Sequence, residues 1–512
     1  MKKIYQNFTA GLSKSDRQGP EGSYYIGREV DPYINPGYIT PGWTPTALSG
    51  TALVTNNVVG ITDVLYTGNQ TTCYGIDDGG NSGATSARVY AFNTDTNTVT
   101  DDTNFPHDIA TEVGRGITMY EAKAASGIAP RLFYVLDGTV GRFDFSGNFD
   151  DDYMTNIPVG GEGFQSSDAG NEYHPHLKWK SYLWIGDGRY LAKYDGQDGD
   201  GGEGTWEATK FDIGSNWHIT ALFDTKNYIG ICATEKRSSA ANPTEDKYRA
   251  RSKVFFYDGD SAEYTYSLDI GDNIIRSAIN NNGIVQLFTA GRQAAGTIKI
   301  LGDQGAETAK YIRHDISGTE TNFDAPPLGA VDIYRGKTIL GSNNQNIIMS
   351  YGRGEIGQPY GLTFPYADYS VSASQIGALR TVNEDKIYFG DKKGTTYNMY
   401  SLSTGASTDA EWRGLYTDMG QKIRINYIKF YFKTMTTSDA VTPSIDVDYG
   451  TNWTLRDPRG NATITEALDG TATSKRFDVR RECHSFRPVI KWDGGAVAFS
   501  KVVIDYQFVE DK

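Results

Sequence analysis

Two short runs of alternating apolar residues, Tyr182-Leu183-Trp184-Ile185 and Tyr190-Leu191-Ala192-Lys193-Tyr194, stand on either side of Gly186-Asp187-Gly188. Alternation is the period of a half-buried strand, and glycines around an aspartate accept the positive φ of a tight reversal, so the stretch predicts a β-hairpin. Similar pairs of runs start near Thr72, Leu132, Tyr228, Ile284, Lys337 and Lys386, which with Tyr182 makes seven units. From Leu132 onward the starts lie 46 to 56 residues apart. A period of about 50 residues with an inner strand pair is the spacing of four-stranded β-propeller blades. Strands covered on both faces by neighbouring blades explain continuous runs such as Leu132-Phe133-Tyr134-Val135-Leu136. Tandem sandwiches, the alternative, would show turn signals every 8 to 12 residues without a higher period.

The texture changes at both ends. Residues 1–45 are broken by Gly19-Pro20, Pro32, Pro36-Gly37 and Pro41-Gly42, leaving no room for a central strand. They read as an extended N-terminal arm, with Tyr24-Tyr25-Ile26 and Tyr33-Ile34 as apolar surface laid on its own domain or on a neighbouring subunit; a frayed terminus is the alternative. The propeller is assigned to 46–411. From Trp412 the hairpin period is lost, and strands are expected at 423–432, 444–449, 473–479, 486–492 and 499–509, a β-sandwich over 412–512. Helix is expected only at Ile117 to Ala125 and near Ser372 to Leu379. The fold class is therefore all-β: a propeller of about seven blades, a C-terminal sandwich and an arm.

Composition agrees: 58 glycines, 34 tyrosines and 22 phenylalanines against 17 prolines suit many short strands and tight turns. The formal net charge of −14 comes without any Lys/Arg block, which excludes a tight grip on a phosphate backbone and suits a surface past which DNA slides. Cys73, Cys232 and Cys483 form no CxxC pair, so they read as buried small hydrophobes in a protein folded in a reducing cytoplasm. No secretion signal or membrane span is read from the sequence.

Candidate chemistry is sparse. Ser166 to Tyr173 approximates an Asp-box, with Tyr173 in place of tryptophan and no second copy. A glycosidase needs two placed carboxylates, and no acidic pair stands in a distinctive context. His174-Pro175-His176 has the same-face spacing of a strand and could begin a metal site, but no third ligand is signposted; the pair reads as solvent-facing. Asp195 to Glu203 resembles a calcium loop without the EF-hand spacing, and Asn93 to Asn97 does so more weakly. The eight tryptophans fall in or beside strand runs, where burial accounts for most. Gly352-Arg353-Gly354 and Gly160-Gly161-Glu162-Gly163 lack the following helix of a phosphate loop. Aspartates after an aromatic, as at Phe143-Asp144, Tyr194-Asp195 and Tyr257-Asp258, are expected to accept backbone N–H groups in the next turn. No catalytic, metal or cofactor-binding residue is assigned, and no cofactor is expected.

The run Gly11 to Asp31, GLSKSDRQGPEGSYYIGREVD, followed by Pro36-Gly37-Tyr38, resembles the opening of propeller proteins encoded among the virion genes of tailed bacteriophages. The close, Cys483-His484-Ser485-Phe486-Arg487-Pro488-Val489 through Phe499 to Tyr506, is similar to the strand-rich ending of phage tail-tube and nozzle proteins. The resemblance implies a non-enzymatic structural subunit of a virion tail. Its partners would be copies of itself in a ring around the DNA exit path and other tail, portal or adaptor proteins. A tail-sleeve, distal-tail or fibre-attachment station is equally open. The alternative is a glycan-binding or glycan-cleaving propeller for host-surface recognition.

Overall fold

Tyr182–Asp187 and Tyr190–Tyr194 pair antiparallel, Leu183 opposite Tyr194 and Asp187 opposite Tyr190, with Gly188 at φ 56° in the reversal. This hairpin forms the middle of a sheet completed by His176–Trp179 and Trp206–Asp212. The computed structural model describes residues 1–13, 16–33, 37–50, 53–64, 70–79, 86–124, 127–154, 174–196, 205–235, 251–272, 274–290, 296–315, 320–322, 324–353, 360–368, 374–384, 386–404, 410–465 and 473–509.

Each predicted hairpin supplies the second and third strands of a sheet, four-stranded in most units, five-stranded around Thr72–Asp77, and completed by Trp43–Ala47 in the last. The others are Thr72–Asp77 with Ser86–Asn93, Gly127–Leu136 with Val140–Phe143, Ile229–Glu235 with Arg251–Tyr257, and Ile284–Thr289 with Thr297–Gly302. Lys337–Gly341 with Asn346–Gly352 and Lys386–Lys393 with Thr396–Thr404 follow. The chain is thus an all-β protein with a β-propeller.

The expectation of seven equivalent blades is corrected to six self-contained sheets. The unit at 331–368 is a meander whose outer strand, Gly361–Asp368, touches Ile26–Arg28 through the single pair Phe364 and Arg28. Through that strand it becomes part of a thirteen-stranded sheet. Its inner strand, Val331–Tyr334, packs against the inner strands Ile275–Asn281 and Ser374–Val382 of the neighbouring blades.

Both expected helices are strands. Ile117 lies within Gly114–Ala124, and the second candidate within Ser374–Val382; Ala125, Ser372 and Ala373 lie outside the described residues. Both are innermost blade strands, where pairing with the next strand satisfies the backbone and overrides a weak local pattern.

The N-terminal segment lies on its own chain. Lys2–Gln6 pairs with Phe499–Phe508, Ile26–Arg28 joins Gly361–Asp368 to Glu411–Arg413, and Trp43–Ala47 is the outer strand of the last blade beside Thr396–Thr404. Pro45 sits on that outer strand, where a missing N–H costs no ladder bond.

Beyond residue 412 the strands form one hydrogen-bonded sheet. The two strands expected at 473–479 and 486–492 are one, Ser474–Gly494, of 21 residues. It stays continuous across a bulge at Arg480 (φ 52°), where Val479 and Arg480 oppose Asn426 alone. Trp412, fully buried, seals the junction: its ring lies 5.2 Å from Phe8 and 5.2 Å from Phe499. One contiguous core runs from these residues into the blades through Phe364, Met349 and Phe288. Cys73, Cys232 and Cys483 are free and buried, as expected, and burial pushes each thiol pKa up.

The aspartates after blade aromatics act as expected. Asp144 accepts the N–H of Ser146 at 2.7 Å and of Asn148 at 3.1 Å, and Asp195 accepts the N–H of Thr205 at 2.8 Å. Asp258 accepts the N–H of Asp260 and of Ser261, both at 2.9 Å. With the Ser261 hydroxyl as the largest contribution, these bonds hold the Asp258 carboxyl down at about 2.

Candidate functional site

The innermost blade strands surround the propeller axis, and glycines let them approach closely. A Cβ on Gly116 would stand 2.5 Å from the His176 ring, and one on Gly60 would stand 3.0 Å from the Ile117 nitrogen. Between these strands lies a cavity of about 530 Å³, and a second of about 300 Å³ shares Val59, Arg115, Leu328 and Gly329 with it.

Alternation on the strand His176–Trp179 and the residues before it aims His174, His176 and Lys178 at the larger cavity. The sequence reading of these histidines as solvent-facing is corrected: they are packed into the channel wall, with His174 2% exposed. His174 Nδ1 lies 3.4 Å from the Gly186 carbonyl, and His176 Nε2 lies 3.2 Å from the Ile117 carbonyl. Burial pushes both imidazole pKa values down, with the Arg115 charge adding to the effect at His174, so both rings are neutral at pH 7. Among the described residues no group of three His, Cys, Asp or Glu side chains is placed to hold a metal ion.

The charged lining is mixed. Arg380 sits 3.7 Å from Asp332 Oδ2, which also accepts the Thr381 N–H at 2.6 Å. Arg115 is paired with Asp137. Asp63 and Glu121 face the same cavity as Lys178. Desolvation and then the Arg380 charge push the Lys178 ammonium pKa down, against the pull of Glu121 and Asp63. Such a lining can hold a small polar or charged ligand by ion pairs and hydrogen bonds. Asp77, in the first blade, is fully buried and takes the Gly79 N–H at 3.0 Å, the Arg88 N–H at 2.9 Å and the Tyr90 hydroxyl. Burial outweighs these bonds and raises its carboxyl to about 6.

Of the sequence candidates, the structure brings only the two histidines into this cavity. The Asp-box residues 166–173, the loop at 160–163, Gly354 and residues 197–203 of the calcium-like loop lie outside the described residues. Asp195 is occupied with the Thr205 N–H, and Asn93 Oδ1 takes the N–H of Asp95 and of Thr96 in an ordinary turn. Trp43, Trp179, Trp184, Trp412 and Trp492 are buried, and no tryptophan lines either cavity. Sequence reasoning missed Arg115, Lys178, Glu121 and Arg380. Their signal was the i, i+2, i+4 spacing of polar residues in His174 to Lys178, and Arg115 set between two glycines.

No family model matches the chain, and no curated protein matches it. Among solved structures it is similar to the Dos1 propeller, at 10% identity and a TM-score of 0.40 over 71% of this chain and 95% of that one. The β-propeller domain of Cps50 (Swd1) from Myceliophteria thermophila is 9% identical, with a TM-score of 0.41 over 71% of this chain and 99% of that one. An exo-beta-1,3-galactanase from Phanerochaete chrysosporium is 8% identical, with a TM-score of 0.30 over 90% of this chain and 100% of that one. At these scores the likenesses carry no functional argument, and the propeller rests on the strand topology.

Proposed function

We propose that this chain is a non-enzymatic structural subunit of a tailed-phage virion, a rigid ring element or attachment platform on the DNA exit path. The observation that carries the reading is the thirteen-stranded sheet. It ties a blade-like meander, two N-terminal strands and the C-terminal strands into one hydrogen-bonded body, and Trp412 packs the joint. A propeller fixed in this way transmits load between its two ends. Two further features support the reading. Tyr266 and Tyr311, on the outer strands of adjacent blades, are 42% and 41% exposed and offer aromatic contact area for a neighbour. A net charge of −14 suits a conduit that does not hold DNA. Identical subunits in such a ring would meet head-to-tail through heterologous contacts. No helix among the described residues is long and apolar enough to cross a membrane.

The test is light scattering of the purified chain beside mass spectrometry of purified virions from its source. A stable ring, or the chain present in particles, is the expected result. A monomer absent from every particle overturns the reading. A glycan-binding or glycan-cleaving propeller remains the second reading, favoured by Asp63 and Glu121 facing one cavity. Its binding form requires signal on a glycan array, its cleaving form reducing-sugar release that Glu121→Gln abolishes, and blanks in both assays remove it.

A further inference from the structure

The C-terminal sheet carries a second site on its polar face. Register sets Asn452 opposite Asp446 and Asp446 opposite Arg487. In the next row Thr454 faces Ser444, Ser444 faces Val489 and Val489 faces Arg413. In the third, Thr442 faces Lys491, Lys491 faces Glu411 and Glu411 faces Arg28. The intervening residues Val441, Ile445, Ile490 and Trp412 lie in the core, so the three rows share the opposite face. A cavity of about 450 Å³ lies over that face, bordered by Tyr416 and Tyr449, and it has the size of a small-molecule site.

Its electrostatics suit an anion. Asp446 is already saturated: Oδ2 accepts Arg487 Nε at 2.9 Å and Arg413 Nη1 at 3.4 Å, and Oδ1 accepts Asn452 Nδ2 at 2.7 Å. Glu411 pairs with Arg413, with Lys491 at 3.8 Å and with Arg28 at 3.9 Å. The three rows thus set four cations against two carboxylates, a positive face on a chain of net charge −14. Arg487 is only 7% exposed, with its guanidinium 4.4 Å from the Tyr416 ring centroid. Its Nη1 has no hydrogen-bond partner among the described residues. That nitrogen is closed to solvent, so Arg487 acts on the cavity through its charge, while Lys491, with its side chain 52% exposed, is placed to give an incoming carboxylate a charge-assisted bond.

We propose that this face binds a sugar acid, its carboxylate between Arg487 and Lys491 and its hydroxyls on Ser444, Asn452 and Thr454. An acidic peptide fits less well, because an extended peptide gains its affinity from main-chain bonds at a sheet edge, here Thr451–Thr454. The groove instead presents side-chain hydroxyls, an amide and cations, the complement of a polyol bearing a carboxylate. The inference is independent of where the chain works.

The test is calorimetric titration of the full chain with glucuronic acid, N-acetylneuraminic acid, glucose and tetraglutamate. At least one sugar acid is expected to bind, with affinity falling as salt rises, and glucose is expected not to bind. Lys491, whose side chain is 52% exposed, can be changed without disturbing the core. Lys491→Gln should weaken binding roughly tenfold, the size of one charge-assisted contact. Equal binding of glucose, unchanged affinity in Lys491→Gln, binding of tetraglutamate alone, or no heat with either sugar acid overturns the proposal.

Discussion

In the blade at 176–212 every strand pairs with the strand next to it in sequence. In the thirteen-stranded sheet Lys2–Gln6 pairs with Phe499–Phe508, and Ile26–Arg28 stands between Gly361–Asp368 and Glu411–Arg413. Both are antiparallel in the main and both bury large aromatics, Trp184 in the one and Trp412 in the other. They differ in the length of chain that each contact must close. A blade is a local solution repeated, whereas the long sheet joins segments that share no neighbourhood in the sequence and makes one body of them.

The sharpest way to break this comparison is to delete residues 1–47. An arm draped over a finished propeller could be removed harmlessly; this segment supplies three strands to sheets built from distant parts of the chain, so its loss should abolish the cooperative thermal transition, read by circular dichroism. Next is Trp412→Ala, expected to cost about 3–5 kcal/mol as a large buried aromatic. Hydrogen exchange should then rise at both 2–12 and 499–508, because Phe8 and Phe499 lose a shared partner. Trp184→Ala should cost a similar amount, with faster exchange confined to its own blade and the next. If Trp412→Ala loosens only one end of the chain, the two regions are not different in kind.

Gly116→Ala should destabilise by about 1–3 kcal/mol through overpacking against His176 and shift exchange at the channel wall. Asp77 gives a test by pH. Its folded pKa, about 6, lies above the usual 3.8, so the folded chain holds that proton more tightly than the unfolded one. Its contribution is fully present below about pH 4 and is lost as pH rises through about 6. Asp77→Asn should flatten that slope, worth up to about 3 kcal/mol, in denaturant titrations at pH 4 and pH 7. The smallest effect is expected at Asp258, whose exposed turn should lose about 1 kcal/mol in Asp258→Ala.

The same contrast explains what could be read in advance. The seven hairpins were legible because each is a pair of apolar runs adjacent in the sequence, most of them closed by a short turn. The innermost strands were not: Gly114–Ala124 and Ser374–Val382 set Arg115, Glu121, Gln375 and Arg380 at the cavities and Gly116 and Gly377 against their neighbours, which blurs period-2 alternation and mimics a short helix. The channel lining shared that fate, since Arg115, Lys178 and Arg380 come from three blades and meet only through ring closure. The single strand Ser474–Gly494 was divided in two because the bulge at Arg480 interrupts its pattern without ending its pairing. The short strands in residues 1–45 were obscured by prolines and glycines that suit edge and bridging positions.

The pairing of Lys2 with Asp505 also sets a schedule. At a synthesis rate of roughly 5–20 residues per second, the strand Lys2–Gln6 leaves the ribosome roughly half a minute to two minutes before its partner exists. Trp43–Ala47 waits nearly as long for Thr396–Thr404. Blades can form one after another behind them, while this early segment, with Phe8 and Trp43 unburied, stays open to a chaperone or to the same segment of a neighbouring nascent chain. The strands between Glu411 and Phe508 therefore fasten the molecule, and it can close only once that stretch has emerged.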